Sequence, residues 1–294
     1  MKSDHAVPNF AFNAVFTAPS EYVAGRALEA IQQQQRQQQE RQPRGANGHD
    51  TPSRMPPSSP PPPPMYLLHP TVADDKFSRE WARIHCPTSH VTSDLKRLQS
   101  GGLETVFAFV GRLNPNKGPT IFLHAAAALL DSLQPTSGSV RFVVVGSGVL
   151  EEDLRMLAAK LRIEVTFYNY TDNDLLPCLL RKVDAFVFTS LWNEPFGMVN
   201  IEAQLMGLPL VVTNVGGVEE YCSHQHTCLV ADLDTKVTQT IAQHMRTLHR
   251  NPKERRALGM RAEGIARERF SGGRQGAHAA GIYLDLLRKS GISI

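Results

Sequence analysis

Glu194 and Glu202 stand eight residues apart in the run Glu194-Pro195-Phe196-Gly197-Met198-Val199-Asn200-Ile201-Glu202. The run follows a strand-like stretch at 183–189 and opens a helix that reads to about residue 206. A Pro-Phe-Gly turn directly before a helix leaves the first backbone N–H groups without intrahelical partners. The positive end of the helix dipole lies at the same place, so the turn is a ready anion site. One carboxylate sits in the turn and the other lies about a turn and a half into the helix. Two acceptors flanking a phosphate cradle suit a ligand with a sugar on one side of a diphosphate and a ribose on the other. Either glutamate alone reads better as a loop-rim charge or a solvated helix residue. The joint spacing favours the ligand.

Further pieces follow strands in the same manner. They are Val110-Gly111-Arg112-Leu113 with Lys117-Gly118, then Val145-Gly146-Ser147-Gly148, then 207–213, then Gly216-Gly217-Val218-Glu219-Glu220. Together with the Glu194–Glu202 run, these pieces in this order resemble the retaining glycosyltransferases of family 4. That family has the GT-B fold, two facing Rossmann-like domains, and the resemblance covers its C-terminal, nucleotide-sugar-binding half. It implies a metal-independent hexosyl transfer from a UDP-, GDP- or ADP-sugar to an acceptor that the sequence leaves unnamed. In that picture the catalytic group is Arg112, Lys117 and Glu194. Arg112 and Lys117 stabilise the departing diphosphate, and Glu194 contacts hydroxyls of the transferred sugar. Glu202 accepts from the ribose. The turn at Phe196 and the amides of Gly197, Met198 and Val199 hold the diphosphate, while Gly111 lets backbone approach it. The main chain at Tyr170 and Thr171 meets the base, with Asn169 standing where the family has glycine. Gly216 and Gly217 let the next loop close on the site. Glu219 and Glu220 compete for the last position of that phrase. Gly146-Ser147-Gly148 lacks the third glycine of a dinucleotide fingerprint and is given no catalytic role.

Strands are expected at 105–110, 141–145, 163–168, 183–189, 209–213 and 228–231, and helices at 119–133, 150–161, 174–181, 197–206 and 235–250. This alternation predicts a doubly wound parallel sheet with its ligand crevice at the carboxyl ends of the strands. Two more helices, at 252–268 and 274–289, are expected to run back towards an N-terminal domain. The expected divisions are residues 1–31, a remnant of that domain; 32–64, a disordered linker; 65–104, a connecting segment; 105–250, the nucleotide-sugar-binding domain; and 251–294, the terminal helices. The linker is nearly all Gln, Arg and Glu at 32–42 and ends in five prolines at 60–64, a composition that cannot offset chain entropy by burial. Its prolines could engage an SH3 or WW module or serve only as a spacer. Within 1–31, a strand near 13–18 and a helix capped by Ser20 resemble the family's last N-terminal strand and helix. Most of that domain then has no counterpart here. The implied partner is a separate or fused N-terminal domain, covering Ala277, Ile282, Leu284 and Leu287 of the last helix.

The 294 residues carry 41% hydrophobic and 20% charged side chains and a net charge of +3, an ordinary globular balance. No basic run with interleaved aromatics points to nucleic acid. Neither a leader pattern nor a membrane-length apolar run occurs, so a cytoplasmic location is expected. Cys86, Cys178, Cys222 and Cys228 are read as no disulfide framework, which fits a reducing compartment. The string Cys222-Ser223-His224-Gln225-His226-Thr227-Cys228 has zinc-type residues, but alternate strand positions are too far apart to converge on one ion; only a tightly curled loop would gather them, and a loop entering the strand at 228–231 is the preferred reading. No cofactor and no metal are expected. Two other readings stay open: a module or half-enzyme that binds a nucleotide sugar without transferring it alone, and an epimerase or phosphorylase sharing the fold.

Overall fold

A computed structural model describes residues 16–18, 29, 33, 65–70, 72, 75–86, 104–134, 138–169 and 175–289. The linker expectation for 32–64 and the helix after Ser20 therefore lie outside the described residues, save Gln33 and Glu29. The chain divides into two units, Met1–Leu68 and His69–Ile294. In the first, strand β1 (Phe16–Ala18) pairs in parallel with β2 (Met65–Leu67).

The second unit is built on six parallel strands: β3 (Thr105–Val110), β4 (Val140–Val145), β5 (Val165–Tyr168), β6 (Ala185–Phe188), β7 (Leu210–Thr213) and β8 (Cys228–Ala231). Their order across the sheet is β5-β4-β3-β6-β7-β8. The chain winds outward through β4 and β5, then returns to the other side of β3 for β6. That reversal opens a crevice between β3 and β6 at their carboxyl ends, where doubly wound sheets take ligands.

Both sheet faces are covered, and the strands show it by strict alternation. Val106, Ala108, Val143, Val145, Phe186, Phe188, Leu210 and Val212 face one core. Helices α4 (Leu176–Leu180) and α5 (Met198–Leu205) and the end of α7 (Pro252–Phe270) complete it. Phe107, Phe109, Phe142, Val144, Val187, Val211 and Leu229 face the other, under α2 (Pro119–Asp131), α3 (Glu151–Leu161) and α6 (Val237–Arg250). Burial on both sides explains why the strands are continuous Val and Phe runs rather than alternating polar ones. Helix α1 (Arg79–His85) is capped by Ser78, whose hydroxyl accepts from the Trp81 N–H at 3.0 Å. The last helix, α8 (Gly272–Lys289), buries Ile282 but leaves Tyr283 and Leu284 exposed.

The cysteine reading is corrected by the fold. Cys86, just past α1, is bonded to Cys178 inside α4, and Cys222 is bonded to Cys228. The first pair joins segments 92 residues apart in sequence, so only tertiary packing reveals it. The second pair closes the loop expected before β8. Residues 223–227 curl, with the N–H groups of His226 and Thr227 both on the Ser223 carbonyl and Gln225 at φ 61°. The two sulfurs of the zinc-like string are thus bonded to each other.

Candidate functional site

Three loops at the β3–β6 crevice are fastened together by backbone. The loop after β3 donates Gly111 N–H to the Val145 carbonyl at 3.0 Å and Leu113 N–H to the Ser147 carbonyl at 2.9 Å. Gly146, at φ 142°, permits this contact, because a Cβ there would run into the Gly111 carbonyl. The Gly146-Ser147-Gly148 loop, given no role from sequence, therefore fixes the loop that carries Arg112.

The same β3 loop is tied on its far side to the loop after β6. Thr189 donates its hydroxyl to the Gly118 carbonyl at 2.8 Å, and Leu191 N–H reaches the Asn116 carbonyl at 2.8 Å. Ser190, fully buried, donates to Asn116 O at 3.2 Å and to Glu194 Oε1 at 3.1 Å. These ties bring Lys117 against Glu194, and its Nζ forms an ion pair with Glu194 Oε1. Both side chains are largely buried, so the pair is shielded from water and salt.

Helix α5 starts at Gly197, whose φ of 80° lets the chain leave the Glu194–Phe196 turn at once. Asn200 N–H is taken by the Gly197 carbonyl at 2.9 Å, while the Met198 and Val199 N–H groups open the first turn. The helix has two distinct faces. Away from the crevice, Asn200 Nδ2 donates to Tyr221 Oη at 2.7 Å and Gln204 Nε2 to the Tyr221 carbonyl at 2.9 Å. Burial raises the Tyr221 phenol strongly, so it stays neutral and serves as a fixed hydrogen-bonding post. Phe196 is also on that side, its ring 5.1 Å from that of Phe270 and 5.8 Å from that of Tyr221.

Towards the crevice, Met198, Val199 and Glu202 line a cavity of about 290 Å³ together with Gly111, Arg112 and Gly146. Its remaining walls are Val110, Val145, Ser147 and Leu176, so a mainly apolar slot ends on one helix N-terminus, one guanidinium and one carboxylate. Glu202 is 8% exposed and makes no side-chain hydrogen bond among the described residues. Burial without a partner lifts its pKa from 4.5 to about 7.

The structure thus gathers Gly111, Arg112, Met198, Val199 and Glu202 on one cavity, with Gly197 behind it. Lys117 and Glu194 stand outside the lining as a closed pair. The ring of Phe196 is turned into the core. Gly216 and Gly217 back the turn rather than the cavity: Gly217 N–H reaches the Glu194 carbonyl at 2.8 Å, and a Cβ on Gly216 would strike that carbonyl. Tyr170 and Thr171 lie outside the described residues. Of the two competing glutamates, Glu219 is exposed, whereas Glu220 accepts from His69 Nε2 at 3.0 Å. The His69 ring packs against both the Phe196 and Phe270 rings, at 5.2 and 5.1 Å. Ser190, Tyr221 and His69 were not singled out from sequence. The only signal for Ser190 was its place at a strand end, four residues before Glu194.

Residues 92–264 match the family described as glycosyl transferases group 1. Over 131 residues the chain is 37% identical to a putative glycosyltransferase, YtcC, of Bacillus subtilis, covering 43% of this chain and 32% of that protein. With a D-inositol 3-phosphate glycosyltransferase of Streptomyces bingchenggensis it shares 32% over 189 residues, 61% of this chain and 40% of the relative. The chain thus spans well under half the length of the curated relatives it matches. In fold it is similar to Anabaena HepE, solved in complex with UDP-glucose, at a TM-score of 0.62 and 22% identity over 75% of this chain and 57% of that one.

Proposed function

The chain belongs to the group 1 glycosyl transferases, and from that premise we propose that it binds a nucleotide sugar in the β3–β6 cavity and transfers its sugar with retention. The observation that carries this reading is the cavity itself. Its single carboxylate, Glu202, stands about a turn from the Met198 and Val199 N–H groups, with Arg112 across from them. The amides and the guanidinium suit a diphosphate, and Glu202 suits the ribose diol. HepE, similar in fold, has been seen with UDP-glucose, which supports a donor of this class.

In the proposed reaction, the bond between the anomeric carbon and the diphosphate oxygen breaks, its electrons leaving on the diphosphate. The acceptor hydroxyl bonds to the anomeric carbon from the same face, and its proton passes to the departing oxygen. Arg112 and Lys117 stabilise that leaving charge, the role a metal ion could otherwise fill. Calorimetry with UDP, GDP, ADP and a sugar conjugate of each, in chelator, tests the reading. At least one should bind, and Glu202→Ala should weaken it by about 1–3 kcal/mol. No heat with any of them rejects it.

A second reading, a donor-binding half that transfers nothing alone, is favoured by one feature. Tyr283 is 66% and Leu284 41% exposed on α8, where a partner domain could cover them. Transfer by a monodisperse preparation of this chain alone rejects that version. Among the described residues no helix is long and apolar enough to cross a membrane. A cytoplasmic location, the other part of the proposal, fits reduced thiols better than the Cys86–Cys178 and Cys222–Cys228 bonds. Counting free thiols and fractionating its own cells test it.

A further inference from the structure

Two groups proposed to act on different parts of the donor are bound to each other. Lys117, assigned to the diphosphate, is paired with Glu194, assigned to the sugar. A diphosphate reaching for Lys117 must therefore compete with a carboxylate already in place. Coulomb attraction between near-buried charges is strong, and a carboxylate abandoned by its cation in such a place is costly. Among the described residues, what remains to Glu194 after Lys117 leaves is one donor, the hydroxyl of Ser190 at 3.1 Å. Ser190 is fully buried, its Oγ also lies 3.2 Å from the Asn116 carbonyl and 3.3 Å from that of Trp192, and its own carbonyl accepts from Thr213 Oγ1 at 2.6 Å, so the oxygen is held beside Glu194.

We propose that Glu194 is a built-in stand-in for the donor's diphosphate, and that with Ser190 it makes the site prefer the sugar conjugate over a bare diphosphate. A nucleotide sugar brings hydroxyl donors that satisfy Glu194 once Lys117 has turned to the phosphates. A bare diphosphate, including the product, takes Lys117 and offers Glu194 no proton. Ser190 is a positioning residue that acts through Glu194. By holding the carboxylate it lowers the penalty of releasing Lys117. The placement of the sugar beside Glu194 rests on the function proposed above. The competition for Lys117 rests on the ion pair alone.

The competition is tested with inorganic pyrophosphate, which depends on neither base nor sugar, on the full chain by calorimetry. Glu194→Gln keeps the shape and removes the competing charge. It should tighten pyrophosphate binding by about tenfold, the size of one charge-assisted hydrogen bond. Ser190→Ala should weaken pyrophosphate binding in the native background and have no effect in the Glu194→Gln background, an epistasis that a merely structural role would not give. Glu219→Gln, the loss of an exposed charge, should change nothing, and thermal unfolding checks that each variant folds. Unchanged or weaker pyrophosphate binding in Glu194→Gln overturns the proposal, as does an equal gain in Glu219→Gln. The sugar arm compares UDP with UDP-glucose, GDP with GDP-mannose and ADP with ADP-glucose. In the pair that binds, Glu194→Gln should reduce the preference for the conjugate, and an unchanged preference overturns this arm. If pyrophosphate responds as expected while no nucleotide or conjugate binds, the donor reading fails and the competition stands.

Discussion

Glu194 sits at the start of the turn that opens α5 and Glu202 in the middle of that helix, and each is 8% exposed. They are equally hidden and oppositely served. Glu194 has an ammonium and a hydroxyl on one oxygen, both fixed by the ties between the β3 and β6 loops. Glu202 has a cavity in front of it and no side-chain partner among the described residues, and its pKa rises to about 7. Burial alone therefore says little about what a carboxylate is for.

The most direct way to break the contrast is to remove the cation. Lys117→Met makes Glu194 a second unaccompanied carboxylate, held by Ser190 only. Stability should fall by about 3 kcal/mol at pH 8, since breaking a buried pair strands its other member. Urea unfolding measures it. Unchanged stability would mean that water already serves Glu194.

A smaller break acts through the backbone. Gly216 has φ 56°, and a Cβ there would strike the Glu194 carbonyl. Gly216→Ala should cost about 2–3 kcal/mol, from the left-handed backbone and the displaced turn together. It should disturb the Glu194 end and leave the cavity at Glu202 intact. Thermal unfolding with and without nucleotide separates the two: the melting temperature drops, while the increment given by nucleotide persists. Loss of that increment would join the two ends into one unit.

The sheet, its order and the loops that meet at the crevice were legible because buried Val and Phe runs alternating with helical stretches permit little else. The helix α5 face was legible too, since Met198, Val199 and Glu202 follow helical spacing from the turn. What sequence concealed was pairing across distance. Lys117 and Glu194 meet only because Thr189, Ser190 and Leu191 bond to backbone at 116–118. Phe196 looked like part of a ligand turn, yet its ring completes an aromatic cluster with Phe270, over two elements away. Cys86 and Cys178 carry no local pattern at all. Residue types announce what chemistry is available, and only packing shows which groups have already answered one another.

The contrast can be sharpened through Glu202. Its folded pKa of about 7 lies above the ordinary 4.5, so between those values the folded protein holds a proton that the unfolded chain has released. Stability must therefore fall as pH rises from 4.5 to about 7 and stay lowered above it. Glu202→Gln keeps the shape without the charge and should be more stable than the native protein by on the order of 2 kcal/mol at pH 8. The difference should vanish near pH 4. Chemical denaturation across pH checks the sign, and a glutamine variant less stable at pH 8 would show a hidden partner for Glu202.

The smallest expected effect concerns the ligand. Nucleotide sugars suit this measurement, because a diphosphate diester does not titrate near neutrality. Two opposed influences act on Glu202 when the donor arrives. Ribose hydroxyls donate to it and favour the ionised form, whereas the diphosphate repels that form. The hydroxyls touch the carboxylate directly, while the diphosphate's charge is met by Arg112 and the α5 N-terminus. Direct contact should win, so affinity should rise through pH 7 by a few-fold, about 1 kcal/mol. Calorimetry from pH 6 to pH 8.5 should show this rise in the native protein and a flat profile in Glu202→Gln. A fall with pH would mean that the diphosphate sits closer to Glu202 than the ribose does. Identical profiles for the two proteins would place the ribose away from Glu202 altogether.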